Sequence, residues 1–346
     1  MGQKEFKMLE QIMNRFPGIS CAYIDATGKE TIEYYGVSDK EKNILVNVNT
    51  IFPACSMSKF ITTICLMKLH EKNKIDIDKP VNRYLQQWKL LTIDGKQSDT
   101  TVKALMCHIS GITDGAESFY GLRRNEPEIS LLDILEGKTT YNNRPVRAEK
   151  TQGTIFEYSD AGYCVLQLLV QEVTNKTFED AVKEIIFDKL HLENTFFAAP
   201  ENLTHYESNK QMATGYDEEG LPIMGRFPAC PDLAGSGLWS TPKELLKIAK
   251  EFVSAHAGKS DFLQKKSARE IAMPVDRFPW IGLGVFIVGE DILMTQGWGE
   301  NGQCMMKMNC CTGEISVVMT NRNPDMGQSE SGVEWLVNKN FNLPNK

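Results

Sequence analysis

The chain has 346 residues, enough for about two domains and a substantial buried core. Its hydrophobic fraction of 42% and charged fraction of 24% are those of an ordinary globular enzyme, and a formal net charge of -7 argues against nucleic acid, whose phosphates need a basic footprint. No apolar run approaches the ~20 residues that cross a bilayer, so no membrane partner is expected. The opening MGQKEFKMLEQIMNRFPG mixes Glu with Lys and never builds the apolar stretch of a signal peptide, and Phe6 stands where a myristoylation motif wants Ser or Thr. A cytoplasmic location is the expectation. Nine cysteines (21, 55, 65, 107, 164, 230, 304, 310 and 311) are an odd number in mostly apolar settings and read as reduced, buried thiols. There is no C-x-x-C, and the five histidines form no ligand pair at helical spacing, so no metal or other cofactor is expected.

In chain order, the start reads as an amphipathic helix and then a hairpin: strands at 19–24 and 31–35 about a turn at 25–28. From about residue 55 the pattern turns helical, with Ile61, Ile64, Cys65 and Leu69 on one face. Residues 163–173 are apolar nearly all round, as in a buried helix. Thr177 with Asp180 caps a next helix whose core face is Phe178, Ala181, Val182, Ile185 and Ile186. Thr241, Pro242 and Glu244 open another with a capping box. The end returns to short strands at 283–288, 303–308 and 315–320, joined by turns such as 311–313, and a closing helix begins at 333–337. Hairpin connections imply an antiparallel sheet. The predicted class is α/β (α+β): a sheet domain built from residues 1–54 and 236–346, a mainly helical domain at 55–235, and an active site in the cleft between them.

The segment Phe52-Pro-Ala-Cys-Ser56-Met-Ser-Lys59-Phe carries the chemistry. Pro53 marks the approach to a helix, and Ser56 falls in its first turn, where free N–H groups favour developing negative charge. Lys59, at i+3, lies on the same face within reach of the Ser56 hydroxyl. A serine alcohol is a poor nucleophile until a neighbouring base or cation activates it. Ser58 has no Lys three residues on and reads as structural. The same spacing also suits a plain solvated helix start, so the surrounding residues decide.

The stretch from Thr50 to Asp114, with TIFPACSMSKFITTICLMKLHEKNKIDIDKPVNRYL and TTVKALMCHISGIT, resembles the penicillin-binding-protein and class C β-lactamase superfamily. Ile75-Asp-Ile-Asp-Lys-Pro-Val81 matches that family's segment after the nucleophile helix, and His108-Ile-Ser-Gly111 its following turn. Read without the family, His108 and Ser110 are a turn with a packed histidine. Downstream, Tyr158-Ser-Asp160 resembles the family's Y-x-N element, with Asp160 in place of the usual Asn. The resemblance implies that Tyr158 carries protons in both half-reactions, its phenolate favoured by a neighbouring cation such as Lys59. Asp160 can accept from Lys59 but, when ionised, cannot donate to a substrate carbonyl as Asn does. Glu126-Pro-Glu-Ile-Ser130 echoes a general-base loop but precedes Tyr158 and lacks that loop's Asn; Ser130 with Asp133 reads as a helix cap.

The family closes its site with K-T-G or H-x-G on a strand edge. The matching region here is Met294-Thr-Gln-Gly-Trp-Gly-Glu-Asn-Gly-Gln303, in either of two registers. With Thr295-Gln296-Gly297 as the motif, Trp298 N–H joins Ser56 N–H as an oxyanion hole; with the motif starting at Gln296, Gly299 is the donor. A plain hairpin turn at 297–302 is the non-functional alternative. In both registers the cation is missing, which leaves a carboxylate-bearing substrate without its partner. Asp232-Leu-Ala-Gly-Ser-Gly-Leu-Trp resembles a further segment lining the family's cleft. The resemblance implies a β-lactamase/transpeptidase-like fold and two-step acyl transfer through Ser56 on a small-molecule ester or amide. A β-lactamase or D-amino-acid peptidase, and a non-catalytic binding protein on the same scaffold, are the alternatives. The oligomeric state is left open.

Overall fold

Alternation of apolar side chains along the strands organises the molecule. In a computed structural model, which describes residues 3–120, 129–199, 202–227, 230–339 and 341, seven strands form one sheet. After helix α1 (Gln3–Arg15) come β1 (Gly18–Ile24), β2 (Glu30–Asp39) and β3 (Ile44–Leu45). The helices α2 (Ser58–Glu71), α3 (Asp160–Thr174) and α4 (Pro242–His256) follow. The chain then returns to β4 (Phe286–Gly289), β5 (Ile292–Gly299), β6 (Gly302–Asn309) and β7 (Ile315–Thr320), and ends in α5 (Val333–Asn338). The strand order is β3-β2-β1-β7-β6-β5-β4, antiparallel throughout. The two ends of the chain meet where β1 pairs with β7, Ile19 opposite Thr320 and Ile24 opposite Ile315.

Both faces of this sheet are apolar. Ile19, Cys21, Met305 and Val318 point to one side, where Leu9, Ile12 and Phe16 of α1 and Val333, Leu336 and Val337 of α5 cover them. Ala22, Ile24, Met306, Val317 and Met319 point to the other, into a core that runs on through Phe60, Tyr163, Leu166 and Phe252. This period of two decides the register, because a slip of one residue would exchange the two cores.

Several local expectations are revised. The strand expected from residue 283 begins at Phe286, because Gly284 turns there with φ +62° and packs against α2, where Lys59 O lies 3.0 Å from the position of a Cβ. Helix α2 is buried on every side from Ser58 to Met67, so the single apolar face predicted for it is only part of a central helix. Thr177 caps a helix of five residues, Phe178–Val182, which then widens into a π-turn at Lys183–Phe187. Thr241 caps α4, but Glu244 does not reach back to it. Its carboxylate instead accepts from the Glu193 and Asn194 N–H groups and the Thr195 hydroxyl, tying α4 to that segment. Ser130 does accept from Asp133 N–H at 3.1 Å, whereas Glu126 lies outside the described residues. No helix among the described residues is long and apolar enough to cross a membrane.

Candidate active site

Ser56 sits one step earlier than expected, in a 3-10 turn (Cys55–Met57) that leads into α2. Pro53 belongs to a two-residue strand, Phe52–Pro53, which pairs with Leu238–Ser240. Between them Cys55 adopts φ +45°, a left-handed conformation rarely held by a residue with a side chain. The turn is fastened by Ser58, whose hydroxyl donates to Cys55 O at 2.6 Å and accepts from Leu238 N–H at 3.0 Å. Ser58 is thus structural, as its spacing suggested.

Lys59 is almost wholly buried, at 2% exposure, and all three of its ammonium contacts serve the site. It donates to Ser56 Oγ at 3.0 Å, to Asp160 Oδ1 at 2.5 Å and to Gly235 O at 3.0 Å. Burial works against its charge, but the Asp160 carboxylate, helped by Tyr158, more than offsets this and holds the ammonium above its ordinary pKa. Asp160 opens α3. Its neighbour Ser159 is the N-cap, accepting from Gly162 N–H at 2.9 Å.

Tyr158 stands over this pair, with Lys59 Nζ 4.8 Å from its ring centre. The expected tuning of its phenol runs the other way. Crowding of the hydroxyl raises its pKa, Asp160 adds to the rise, and Lys59 with Ser56 pulls back only in part. Lys59 is a weak phenolate partner because its charge is already spoken for by Asp160. His108 stacks on it at 4.2 Å, and accepts from Ser159 N–H through Nδ1 at 3.1 Å. Burial, then Lys59, holds His108 far below its usual pKa, as a neutral ring. The packed histidine read from sequence is therefore a support for Tyr158.

Two carboxylates escaped the sequence reading as site residues. Asp114 accepts from the Ser159 hydroxyl at 2.6 Å, from Asp160 N–H at 2.6 Å and from Ala161 N–H at 3.3 Å, so it orients the first turn of α3. Asp232 is fully buried; Tyr141 donates to its Oδ1 at 2.5 Å, while Oδ2 has no partner among the described residues. That oxygen and Asp160 Oδ1 lie 2.9 and 3.1 Å from the point where a Cβ on Gly235 would sit. Burial and the Asp160 charge push Asp232 up to about 7 and Asp114 up to about 6. No local spacing signals these contacts: Asp114 and Asp232 reach the site from distant segments, though both sit within or beside stretches that carry the resemblance.

The edge of β5 forms the opposite wall. The Gln303 backbone faces β7, its N–H donating to Thr320 Oγ1 at 3.0 Å and its carbonyl accepting from the same hydroxyl at 2.8 Å. Trp298 is opposite Gln303, so that pair is not hydrogen-bonded within the β5–β6 ladder and the Trp298 N–H points to the other edge of β5. That edge is free of a strand there, since β4 pairs only with Ile292, Leu293 and Met294. Gly299 N–H, one residue on, faces β6. Gly297 lets β5 come close to the serine turn: a Cβ on it would meet Ala54 O at 2.5 Å and Cys55 Cβ at 2.8 Å. Thr295 and Gln296 line a groove with Ser56, Lys59 and Tyr158, and Trp298 lines a larger cleft of about 410 Å³ with Ser56 and Asp160. Within the glycine-rich run, Glu300 and Asn301 form the hairpin turn between β5 and β6.

Comparison with known proteins agrees with this architecture. A teichoic acid D-alanine hydrolase of Staphylococcus aureus is 29% identical over 217 residues, 62% of this chain and 49% of that protein. The chain spans less than half the length of such curated relatives. Among solved structures, the octameric penicillin-binding protein homologue from Pyrococcus abyssi superposes with a TM-score of 0.75 at 21% identity, over 96% of this chain and 75% of that one. The D-amino acid amidase from Ochrobactrum anthropi SV3 gives 0.74 at 19% identity, over 97% and 98%. The family model described as Beta-lactamase matches residues 6–338, nearly end to end, and the chain therefore belongs to the β-lactamase family.

Proposed function

We propose that the protein is a serine hydrolase that acts on an ester or amide by two-step acyl transfer, with Ser56 as nucleophile. The observation that carries this is the contact of Lys59 Nζ with Ser56 Oγ at 3.0 Å in the wall of an open cleft. The Ser56 proton passes to Lys59 as Oγ attacks, and Lys59 in turn gives a proton to Asp160 Oδ1, already 2.5 Å away. A protonated lysine can serve as relay in this way without first losing its charge. The Ser56 and Trp298 N–H groups receive the oxyanion, each such donor being worth on the order of a hundredfold in rate or more. Tyr158, held as a neutral phenol, hands its proton to the leaving group and recovers one from Lys59. Water then releases the acyl group by the same path reversed. The division into a sheet domain and a helical domain, with the site in the cleft between, belongs to the same proposal. It is supported by a site whose two walls are β5 and the starts of α2 and α3.

A β-lactam or peptidyl carboxylate is a poorer fit, because in the register that makes Trp298 the donor Thr295 stands where the family's motif carries a cation. Intact-mass measurement after a fluorophosphonate tests the proposal. The expected result is one adduct that Ser56→Ala abolishes; an unmodified wild-type chain would overturn it.

A further inference from the structure

The cleft in front of Ser56 is acidic and aromatic. Its charged lining residues among those described are Asp160, Glu300 and Asp325, with no lysine or arginine. Lys59 lies behind the wall and is already paired with Asp160. Next to Glu300, Asn301 is buried to 1%, lines the same cleft, and has neither amide atom partnered within the described residues. Trp298, on the same hairpin, presents a half-exposed ring to the cleft.

Asp160 is the informative position. It lines the cleft with 22% of its side chain open, directly beside the nucleophile's lysine. An ionised carboxylate offers acceptors and no donor, so it cannot bind the carbonyl of an acylated amine, whereas it binds an N–H group well. We infer that the substrate carries a free, positively charged amine next to the carbonyl that Ser56 attacks, making it an aminoacyl ester or amide with an unblocked amino group. This rests on the serine hydrolase reading and narrows it.

The charge balance agrees. Asp160 pairs with one ammonium, Lys59, and Asp232 lies on the same side of Gly235, while Asp114 is braced behind them on the Asp160 N–H, so carboxylates outnumber cations in this part of the site. Burial first, and the Asp160 charge second, raise both Asp114 and Asp232. A substrate ammonium neutralises it, with Glu300, Asp325 and the Trp298 face completing the enclosure. Asn301 supplies one donor and one acceptor to the rest of the acyl group. An N-acylated substrate brings a carbonyl oxygen to the same wall, where carboxylates repel it.

The test compares three esters on the full chain: alanine ethyl ester in each enantiomer, N-acetylalanine ethyl ester, and ethyl isobutyrate, in which a methyl replaces the ammonium. The free amine is expected to win by about tenfold or more in kcat/KM for at least one enantiomer, equivalent to one modest ion pair. That advantage should shrink about threefold or more in Asp160→Asn and in Glu300→Gln, and decline as salt screens it. Should Asp160→Asn be inactive, Glu300→Gln alone decides. Equal or better turnover of the blocked ester by wild-type protein overturns the inference, as does an advantage untouched by Glu300→Gln. Fluorophosphonate labelling of Ser56 is run alongside. Labelling without the amine preference removes only this inference; no labelling and no turnover removes the hydrolase reading as well.

Discussion

Lys59 brings one positive charge into a pocket that also holds the Asp160 and Asp232 carboxylates, and most of the site's behaviour follows from that imbalance. Removing it in Lys59→Ala takes away the relay and leaves Asp160 uncompensated. Turnover is expected to drop by about 10²–10⁴, the range typical of a proton-transfer group, measured as kcat on any ester the protein accepts. Asp232 makes the sharper prediction. Its folded pKa, about 7, lies above the ~3.9 of an unfolded aspartate, so between these values the native state binds the extra proton. Stability from this group is therefore present at low pH and is lost as pH rises toward and through 7. In Asp232→Asn the Tyr141 hydroxyl keeps an acceptor while the titration disappears. The wild-type Tm is expected to fall more steeply from acid to alkaline pH than that of the variant, followed by thermal unfolding across a pH series. Parallel curves would rule out Asp232 as the titrating group.

At the scale of elements, close approach between β5 and the serine turn is what the site depends on. Gly297→Ala places a methyl group 2.6 Å from Cys304 Sγ as well as against the turn. Such overpacking typically costs about 1–3 kcal/mol, and the strand that carries Trp298 must move away from Ser56. Activity is expected to fall by more than the loss of stability explains, as kcat per folded molecule at a temperature well below the variant's Tm. Ser58→Ala acts on the other side of the same contact. It strips the Leu238 N–H of its buried acceptor, a loss of about 1–3 kcal/mol that denaturant unfolding measures. These elements were unevenly legible. Helix α3 could be read because residues 163–173 are apolar nearly all round, whereas its start at Asp160 and its Ser159 cap emerge only in the structure. The strands Phe52–Pro53 and Leu238–Ser240 are two and three residues long, too short for any period to show. Ser56, Lys59 and Tyr158 were found by motif, whereas Asp114, Asp232 and the stacking of His108 depend on contacts between segments far apart in the chain.

On the scale of the whole molecule, closure of the two ends into one sheet sets the platform for the site. Strands at both ends of the chain made that closure readable, but the existence of two separate cores was not, because it depends on which helix covers which face. The outer core is small: α1 and α5 cover the side of the sheet on which Ile19, Cys21, Met305 and Val318 lie. Ile12 is fully buried there and packs so closely on Gly332 that a Cβ on that glycine would come within 2.4 Å of it. Ile12→Ala should cost about 2–5 kcal/mol by loss of burial and creation of a cavity. None of the residues named in the candidate site belongs to that cluster. The variant is therefore expected to unfold at a lower temperature while taking up fluorophosphonate at Ser56 at the wild-type rate in the cold, where both proteins are folded. A slowed labelling rate there would mean that α1 and the outer face hold β5 and the serine turn in register, and that the two cores act as one.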